Sequence, residues 1–547
     1  MAPTYDAVVV GAGHNGLVSA VMLARAGWKV MVVEANDRPG GAVMSAEVTR
    51  PGYVHDLFAT NLNLFLASRF YSEFGDDLAK HGLRLRRSDL PYANVFPGGR
   101  SVGVSVGLES TLERLRRLHP GDAEGWERLH ELYERVSSTL FGVYASPVSS
   151  YGVSKAMVAA ARTLGRKGLA DLAQLVSSSC RELVDAYLVS DEAKALVACW
   201  GLHLDFGPDV SGGAVFPFLE AFSDMQVGMS VAEGGASCLV DALCGLLREH
   251  GGELRTGVAV ERILVARGRA VGVELADGEH LEAARAVVAN VSPTALVGNL
   301  LAPGDLPEAT SRALERYAYG PATMMVHLAL SKPVPWDAGD ELQRFAYVHV
   351  APYVDDLAQT YGDALAGRLP AEPLLVVGQT SSVDATRAPA DGQVLWVQVR
   401  TLPARIRADP AGSLAGRSWD EAAEPFADRV MAKLERYASG LGAAVLDRAV
   451  LSPADLERHN RNLVGGDSIA GSMHLRQNFA FRPAPGMARY RTPVGSLVLV
   501  GAGTWPGPGL NAQSGYLAAR DLLARARWHD RFRRGQHRWQ SRRVSWQ

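Results

Sequence analysis

Close to the amino terminus the apolar run "YDAVVV" (Tyr5 to Val10) passes straight into "GAGHNG", with Gly11, Gly13 and Gly16 in GxGxxG register. Such a run fits a buried parallel strand. "LVSAVMLARAG" follows with helical spacing and stops at Gly27, a residue suited to ending a helix. "KVMVVE" then reads as a second strand closing on Glu34. The first glycine makes a tight turn, the second lets backbone approach a pyrophosphate, and the third lets helix pack against strand. A pyrophosphate would sit on the helix N-terminus, where free N–H groups and the dipole favour anions. The loop Gly11, Ala12, Gly13, His14, Asn15 and Gly16 is therefore the candidate phosphate contact, and Glu34 the acceptor for ribose hydroxyls. Strand, helix, second strand and acid together predict a dinucleotide-binding βαβ unit.

The next residues, "EANDRPGGAV", place Ala35, Arg38, Gly40, Gly41 and Ala42 just beyond the ribose acid. A second glycine pair lets the chain hug the same pyrophosphate from the other side. This arrangement resembles the extended motif of FAD enzymes of the glutathione-reductase and amine-oxidase type. Glu233 to Asn290 reads as a helix, a strand and a hairpin-rich piece, with turns near Arg267–Gly268 and Asp277–Gly278. Its extended part would lie beside the first sheet, with backbone around Val260 holding an adenine; an ordinary β-meander without ligand contact is the alternative.

A second glycine-rich stretch, "VGAGTWPGPGLNAQSG", runs from Val500 to Gly515. A second pyrophosphate site would need a helix directly after the glycines, and the prolines at 506 and 508 oppose that. Helical spacing begins only near Asn511. The two stretches are thus expected to be halves of one site. Gly501, Gly503 and Thr504 would lie along the ribityl and phosphate part, and Gly509, Leu510 and Asn511 would bring the delayed helix to the flavin's pyrimidine end. The helix dipole there favours the negative charge of a reduced flavin.

With these motifs, "HPGDAEGW" (His119 to Trp126) and "YRTPVGSLVLVGAGTWPGPGLNAQSGYLAA" (Tyr490 to Ala519), the chain resembles the phytoene-desaturase-related branch of the FAD-dependent amine-oxidase superfamily, which includes carotenoid desaturases, carotene isomerases and retinol saturases. The similarity spans roughly residues 4 to 525. It implies an α/β fold: a Rossmann-type FAD-binding lobe of the glutathione-reductase kind, interleaved with an α+β substrate lobe. It also implies non-covalent FAD and a hydrophobic, carotenoid-like, isoprenoid or lipid substrate. The chain departs from the desaturase pattern at Trp505, where that branch usually carries histidine. Gly509 to Ala512 replace a Gly-Val-His-Gly-type run, and Ser514–Gly515 looks more like amine oxidases.

The expected FAD lobe comprises 1–84, 216–300 and 476–524, and the substrate lobe 85–215 and 301–475. The first insertion reads as mainly helical and the second as a sheet flooring the pocket. No metal cluster stands out, and His203, His327 and His474 read as satisfied structural histidines. No catalytic base is named; flavin carries the redox chemistry itself. A flavin amine or amino-acid oxidase, and an FAD-stabilised binding or assembly protein without turnover, are the alternatives. The net charge of −2 argues against nucleic acid as partner, while a homo-oligomer stays open. The four cysteines lack metal or redox spacing and read as reduced, mostly buried thiols, and no secretory signal is visible, so a cytoplasmic protein is expected. The tail, 525–547, interleaves eight arginines with Trp528, Phe532, Trp539 and Trp546. That composition suits contact with an anionic membrane surface.

Overall fold

The computed structural model describes residues 3–148, 150–350 and 352–544; within 150–157 and 529–544 it describes the backbone alone. Two seven-stranded sheets organise the chain. The first runs Val260–Ala266, Arg269–Leu275, His280–Ala289, Thr4–Val10, Val30–Val33, Glu253–Arg255, with Leu497–Leu499 added in parallel beside His280–Ala289. Its five parallel strands come from the start, middle and end of the sequence.

Register decides what this sheet presents. Val10 lies opposite both Val33 and Ala289, and Ala289 opposite Leu499. The residues that follow, Gly11, Glu34, Asn290 and the Val500–Gly501 pair, therefore emerge together at the carboxyl edge, where open α/β sheets bind ligands. The strands are buried on both faces, which explains their unbroken apolar composition. Against the sheet packs helix His14–Arg25, itself flanked by helices Ser237–Glu249 and Gln513–Val544. The expected turns are present, with Arg267, Gly268 and Gly278 at positive φ.

The second sheet is ordered Val445–Leu451, Ala322–Leu330, Gln393–Leu402, Leu374–Gly378, Tyr347–Val350, Tyr92–Phe96, Arg100–Val104. Two of its strands and Leu85–Ser88 occupy the start of the 85–215 segment, so that segment is mainly helical only from Leu108 onward. These strands are short and flanked by charged residues, which leaves them a weak periodic signal beside the long helices that follow. One face of this sheet is apolar (Ala93, Val348, Val377, Val397) and packs on helix Trp419–Glu435. The other carries Tyr92, Asn94, Tyr347, His349, Trp396, Gln398 and Arg400 at the alternate positions.

Helices Pro120–Tyr144, Cys180–Tyr187, Asp191–Ala198 and Val215–Val227 belong to the core cluster on that second face. "HPGDAEGW" fastens the first of them. His119 caps it, the Asp122 carboxylate accepts from Val189 N, Ser190 N and Ser190 Oγ, and Gly125 lies so close to Tyr187 O that a Cβ there would be 1.8 Å away. Among the described residues no helix is long and apolar enough to cross a membrane. Helix Gln513–Val544 carries the chain into the tail; the side chains of 529–544 and all of 545–547 lie outside the described residues, so Phe532, Trp539 and Trp546 do as well.

Candidate flavin site and substrate chamber

Helix His14–Arg25 starts at Gly13 with no side-chain cap and no acid in its first turn. Its leading N–H groups are thus left to a ligand or solvent, the condition for binding an anion. Beside it, the buried Glu34 carboxylate accepts from Ala12 N (2.7 Å) and Asn36 N (3.0 Å). Two oxygens accept more than two hydrogen bonds, so acceptor capacity remains for ribose. The second glycine pair lies against the first loop: Gly40 N donates to Ala12 O at 3.0 Å, and a Cβ on Gly41 would be 3.4 Å from Gly13 Cα. Ala35 and Arg38 are exposed, and Ala42 is half-buried. Val258 N bonds to Glu34 O at 3.1 Å, so the strand starting at Val260 begins two residues after the one bonded to Glu34. Burial pushes His14 down to about 4, leaving its ring neutral.

The carboxyl-terminal stretch meets the same loop through one residue that no motif marks. Asn290 Nδ2 donates to Gly11 O (3.3 Å) and Gly13 O (3.4 Å), and a Cβ on Gly501 would lie 2.8 Å from Asn290 Oδ1. Asn290 therefore sits between the two glycine stretches, and sequence reasoning misses it as a site residue. Its only sequence signal is its position, the first polar residue after the buried strand "VVA". Asn462 holds it from behind, its Nδ2 donating to Asn290 O and its Oδ1 accepting from Ser292 N. The helices behind the stretches also touch: Gly515 N donates to Asn15 Oδ1, Ser19 Oγ donates to Gly515 O, and a Cβ on Gly515 would be 2.1 Å from Asn15 O.

The remaining expected contacts are occupied in shaping their own loop. Thr504 Oγ1 donates to Gly501 O, and Ser514 Oγ accepts from Gly501 N. Asn511 Nδ2 donates to Pro508 O at 3.0 Å while its Oδ1 accepts from Gln513 N. Gly509 and Leu510 bring this loop against Leu64 and the core of the first lobe. Arg482 clamps Gly503's neighbourhood, donating to Ala502 O, Ser472 O and Gly471 O. The glycine loops, free N–H groups and buried acid fit a dinucleotide-type flavin.

From Ala42 the chain runs on to the second sheet. Ala59 N donates to Ala42 O and Leu57 N to Met44 O, and Trp396 Nε1 donates to Phe58 O at 3.0 Å. The polar and aromatic face of the second sheet is thereby joined to the segment that follows Gly40 and Gly41. Tyr347 stacks on Trp396 with centroids 5.6 Å apart, and Tyr144 on Trp505 at 5.5 Å. His474 is a satisfied structural histidine, bonded to Tyr361 Oη and Asp205 O. The same reading fails for His203 and His327: Nε2 of the first and both ring nitrogens of the second are buried without a partner among the described residues. Strand Ala322–Leu330 carries His327 there and the single turn Gly201–Leu204 carries His203.

A family model described as flavin containing amine oxidoreductase matches residues 16–371. The chain belongs to that family. It is 28% identical to pyridine nucleotide-disulfide oxidoreductase domain-containing protein 2 of Rattus norvegicus, over 94% of this chain and 93% of the relative. One of the limonene dehydrogenase polypeptides of Castellaniella defragrans is 26% identical, covering 94% of each. A neurosporene-forming phytoene desaturase of Rhodobacter capsulatus is 27% identical over 92% of this chain and 91% of its own. Among solved structures, an oxidoreductase from Methanosarcina mazei superposes with a TM-score of 0.61 at 16% identity, covering 95% of this chain and 99% of that one. Cyclohexylamine oxidase from Brevibacterium oxydans gives 0.58 at 17%, with 96% and 100% covered. The α/β architecture of this flavin amine oxidoreductase family is the one described above. Its members are flavoproteins, and the chain is an FAD-dependent oxidoreductase.

Glu34→Ala removes an acceptor for two loop N–H groups and for ribose. Flavin affinity is expected to fall by about 1.5–3 kcal/mol, the worth of one hydrogen bond to a charged group. Titration of flavin-stripped variant with FAD measures it; unchanged affinity would detach Glu34 from the cofactor.

Proposed function

We propose that this chain holds FAD non-covalently and uses it to exchange hydride with an apolar substrate of isoprenoid or lipid type, as a dehydrogenase, desaturase or saturase. The observation that carries the reading is the Trp396–Phe58 bond, which joins the second sheet's front to the loop beside the glycine cradle. A molecule lying along that front lies beside the cofactor. Bound flavin supplies the hydride acceptor or donor. The residues of the chain supply position and dryness: Tyr347, Trp396, Tyr92 and the helices above them are buried, and a water-excluding chamber suits hydride exchange. The names of two relatives, limonene dehydrogenase and phytoene desaturase, support a terpenoid hydrocarbon skeleton. Neither stacked aromatic pair leaves a slot for an amine, because a sandwiched group needs two contacts of about 3.5–4 Å, one to each ring.

The test is anaerobic addition of monoterpenes, carotenes and aliphatic amines to the yellow protein. Bleaching of the flavin band by a terpenoid, and not by amines, is expected. Bleaching by amines alone, with peroxide formed in air, would overturn the reading in favour of an amine oxidase.

The basic, tryptophan-containing tail supports a further proposal, peripheral contact with anionic membrane, at about 1 kcal/mol per basic residue near the surface. A variant ending at Leu523 is expected to keep its flavin spectrum and lose sedimentation with anionic liposomes at low salt. Equal sedimentation of both proteins would remove the tail from membrane binding.

A further inference from the structure

Among the described residues three arginines reach into the interior, and they differ in how their charge is met. Arg387 lies between two carboxylates, 3.0 Å from Asp56 and 2.9 Å from Asp384. Arg482 gives hydrogen bonds to three backbone carbonyls. Arg400, half-buried, has neither arrangement. Its Nη1 donates to Ser468 Oγ at 2.9 Å, its Nη2 reaches His203 O only at 3.5 Å, and its buried Nε has no partner among the described residues. No carboxylate among those residues lies within ion-pairing distance of it. A desolvated guanidinium without a carboxylate paired to it is costly, and guanidinium presents five N–H groups in a fork shaped for carboxylate.

Beside Arg400 opens a cavity of about 20 Å³, bordered by His203 and His349 on the polar side and by Leu202, Leu357 and Leu374 among its apolar walls. His203 Nε2 and His349 Nε2 are likewise buried without a hydrogen-bond partner among the described residues. The two rings are 5.8 Å apart. Burial drives both below the usual histidine range, His349 to about 3, so both rings are neutral. His349 Nδ1 donates to Asn94 Oδ1 at 3.2 Å, which makes its Nε2 an acceptor, whereas His203 Nε2 is open to carry the N–H of its ring. Asp205 and Asp467 border with Arg400 a separate cavity of about 10 Å³, and Asp467 acts on the guanidinium from beyond ion-pairing distance. There Asp467 is engaged by Gly320 N, Ile469 N and Gly471 N, and Asp205 by Tyr361 Oη. The larger cavity thus gathers a cation and neutral imidazoles, with no acid on its wall.

We infer that Arg400 and His203 form the receiving site for a carboxylate at one end of the substrate, with the neutral His349 ring as part of its wall, so that the substrate is an amphipathic acid and not a pure hydrocarbon. The volume takes one or two water-sized oxygens, each needing about 10–15 Å³, which suits a carboxylate and is too small for a phosphate. Arg400 and Trp396 are four residues apart on one strand face, about 13 Å at the usual rise per residue. Trp396 is the side chain tied to the cofactor-side loop. An acid headed at Arg400 would therefore lay its apolar body along the sheet toward the flavin. This deepens the apolar-substrate reading and rests on it.

Binding is measured by calorimetry on the flavin-loaded protein, with decanoate against 1-decanol and geranate against geraniol, all below their micellar concentrations. Each acid is expected to bind at least about tenfold tighter than its alcohol. The preference should vanish in Arg400→Met and persist in part in Arg400→Lys, with flavin content unchanged in both. Equal affinity of acid and alcohol for the unmodified protein would overturn the inference without any variant. So would a preference that survives Arg400→Met, or tighter binding of decyl phosphate than of decanoate. Failure of bound geranate to bleach the flavin, with the acid preference intact, would instead count against the redox reading.

Discussion

Gly13→Val is expected to give a protein that folds yet carries no flavin. Gly13 caps helix His14–Arg25 at φ −65, an ordinary value for any residue, so backbone strain is not the reason. Space is. A Cβ there would lie 2.9 Å from Asn290 Nδ2, and valine adds two methyls beyond it. The Asn290 side chain must swing away, and with it go its bonds to Gly11 O and Gly13 O and its seat against Gly501. The remaining methyl occupies the approach that backbone makes to a pyrophosphate. Flavin released by heat, per chain, should fall from about one to near zero, while far-ultraviolet dichroism is kept. Full occupancy in the variant would move the cofactor away from this loop.

The largest loss of stability is expected from Arg387→Met. Arg387, Asp56 and Asp384 are almost wholly shielded from water, with side-chain exposures of 0%, 0% and 1%. They join three distant segments, because Arg387 Nη2 also donates to Ala232 O and the two aspartates accept from Ala236 N and Gly234 N. Removing the guanidinium leaves two buried carboxylates facing each other, a change that costs about 3–5 kcal/mol. Adding Asp384→Asn should recover part of the loss by deleting one stranded charge, and a double variant as unstable as the single would contradict this account.

The same network gives a pH dependence of definite sign. Burial acts to raise both aspartates, but Arg387 and the hydrogen bonds from Ser45, Thr60, Gly234, Thr386 and Ala236 outweigh it and hold both below the usual carboxylate range. Their contribution is therefore complete above the ordinary aspartate pKa and is lost as pH falls through the depressed values in the folded state. Urea midpoints should drop steeply on acidification below about pH 4, and less steeply in Arg387→Met.

The local sequence was enough to determine the first βαβ unit. A turn, a helix start and a ribose acid each need particular residues at fixed short spacing, as Gly11, Gly13, Gly16 and Glu34 illustrate. It also determined that Pro506 and Pro508 delay the last helix, which begins at Gln513. What it did not determine is which distant residues close the site. Asn290 matters because Val10, Ala289 and Leu499 fall into one row of the first sheet, and a row is set by pairing across hundreds of residues. Likewise Arg400, His203 and His349 are ordinary polar residues in their own segments. Only the assembly of the second sheet, with its apolar face turned to helix Trp419–Glu435, brings Arg400 and His349 onto the opposite face, against the turn Gly201–Leu204 that carries His203, because strand side chains alternate between faces and in this chain both faces are covered.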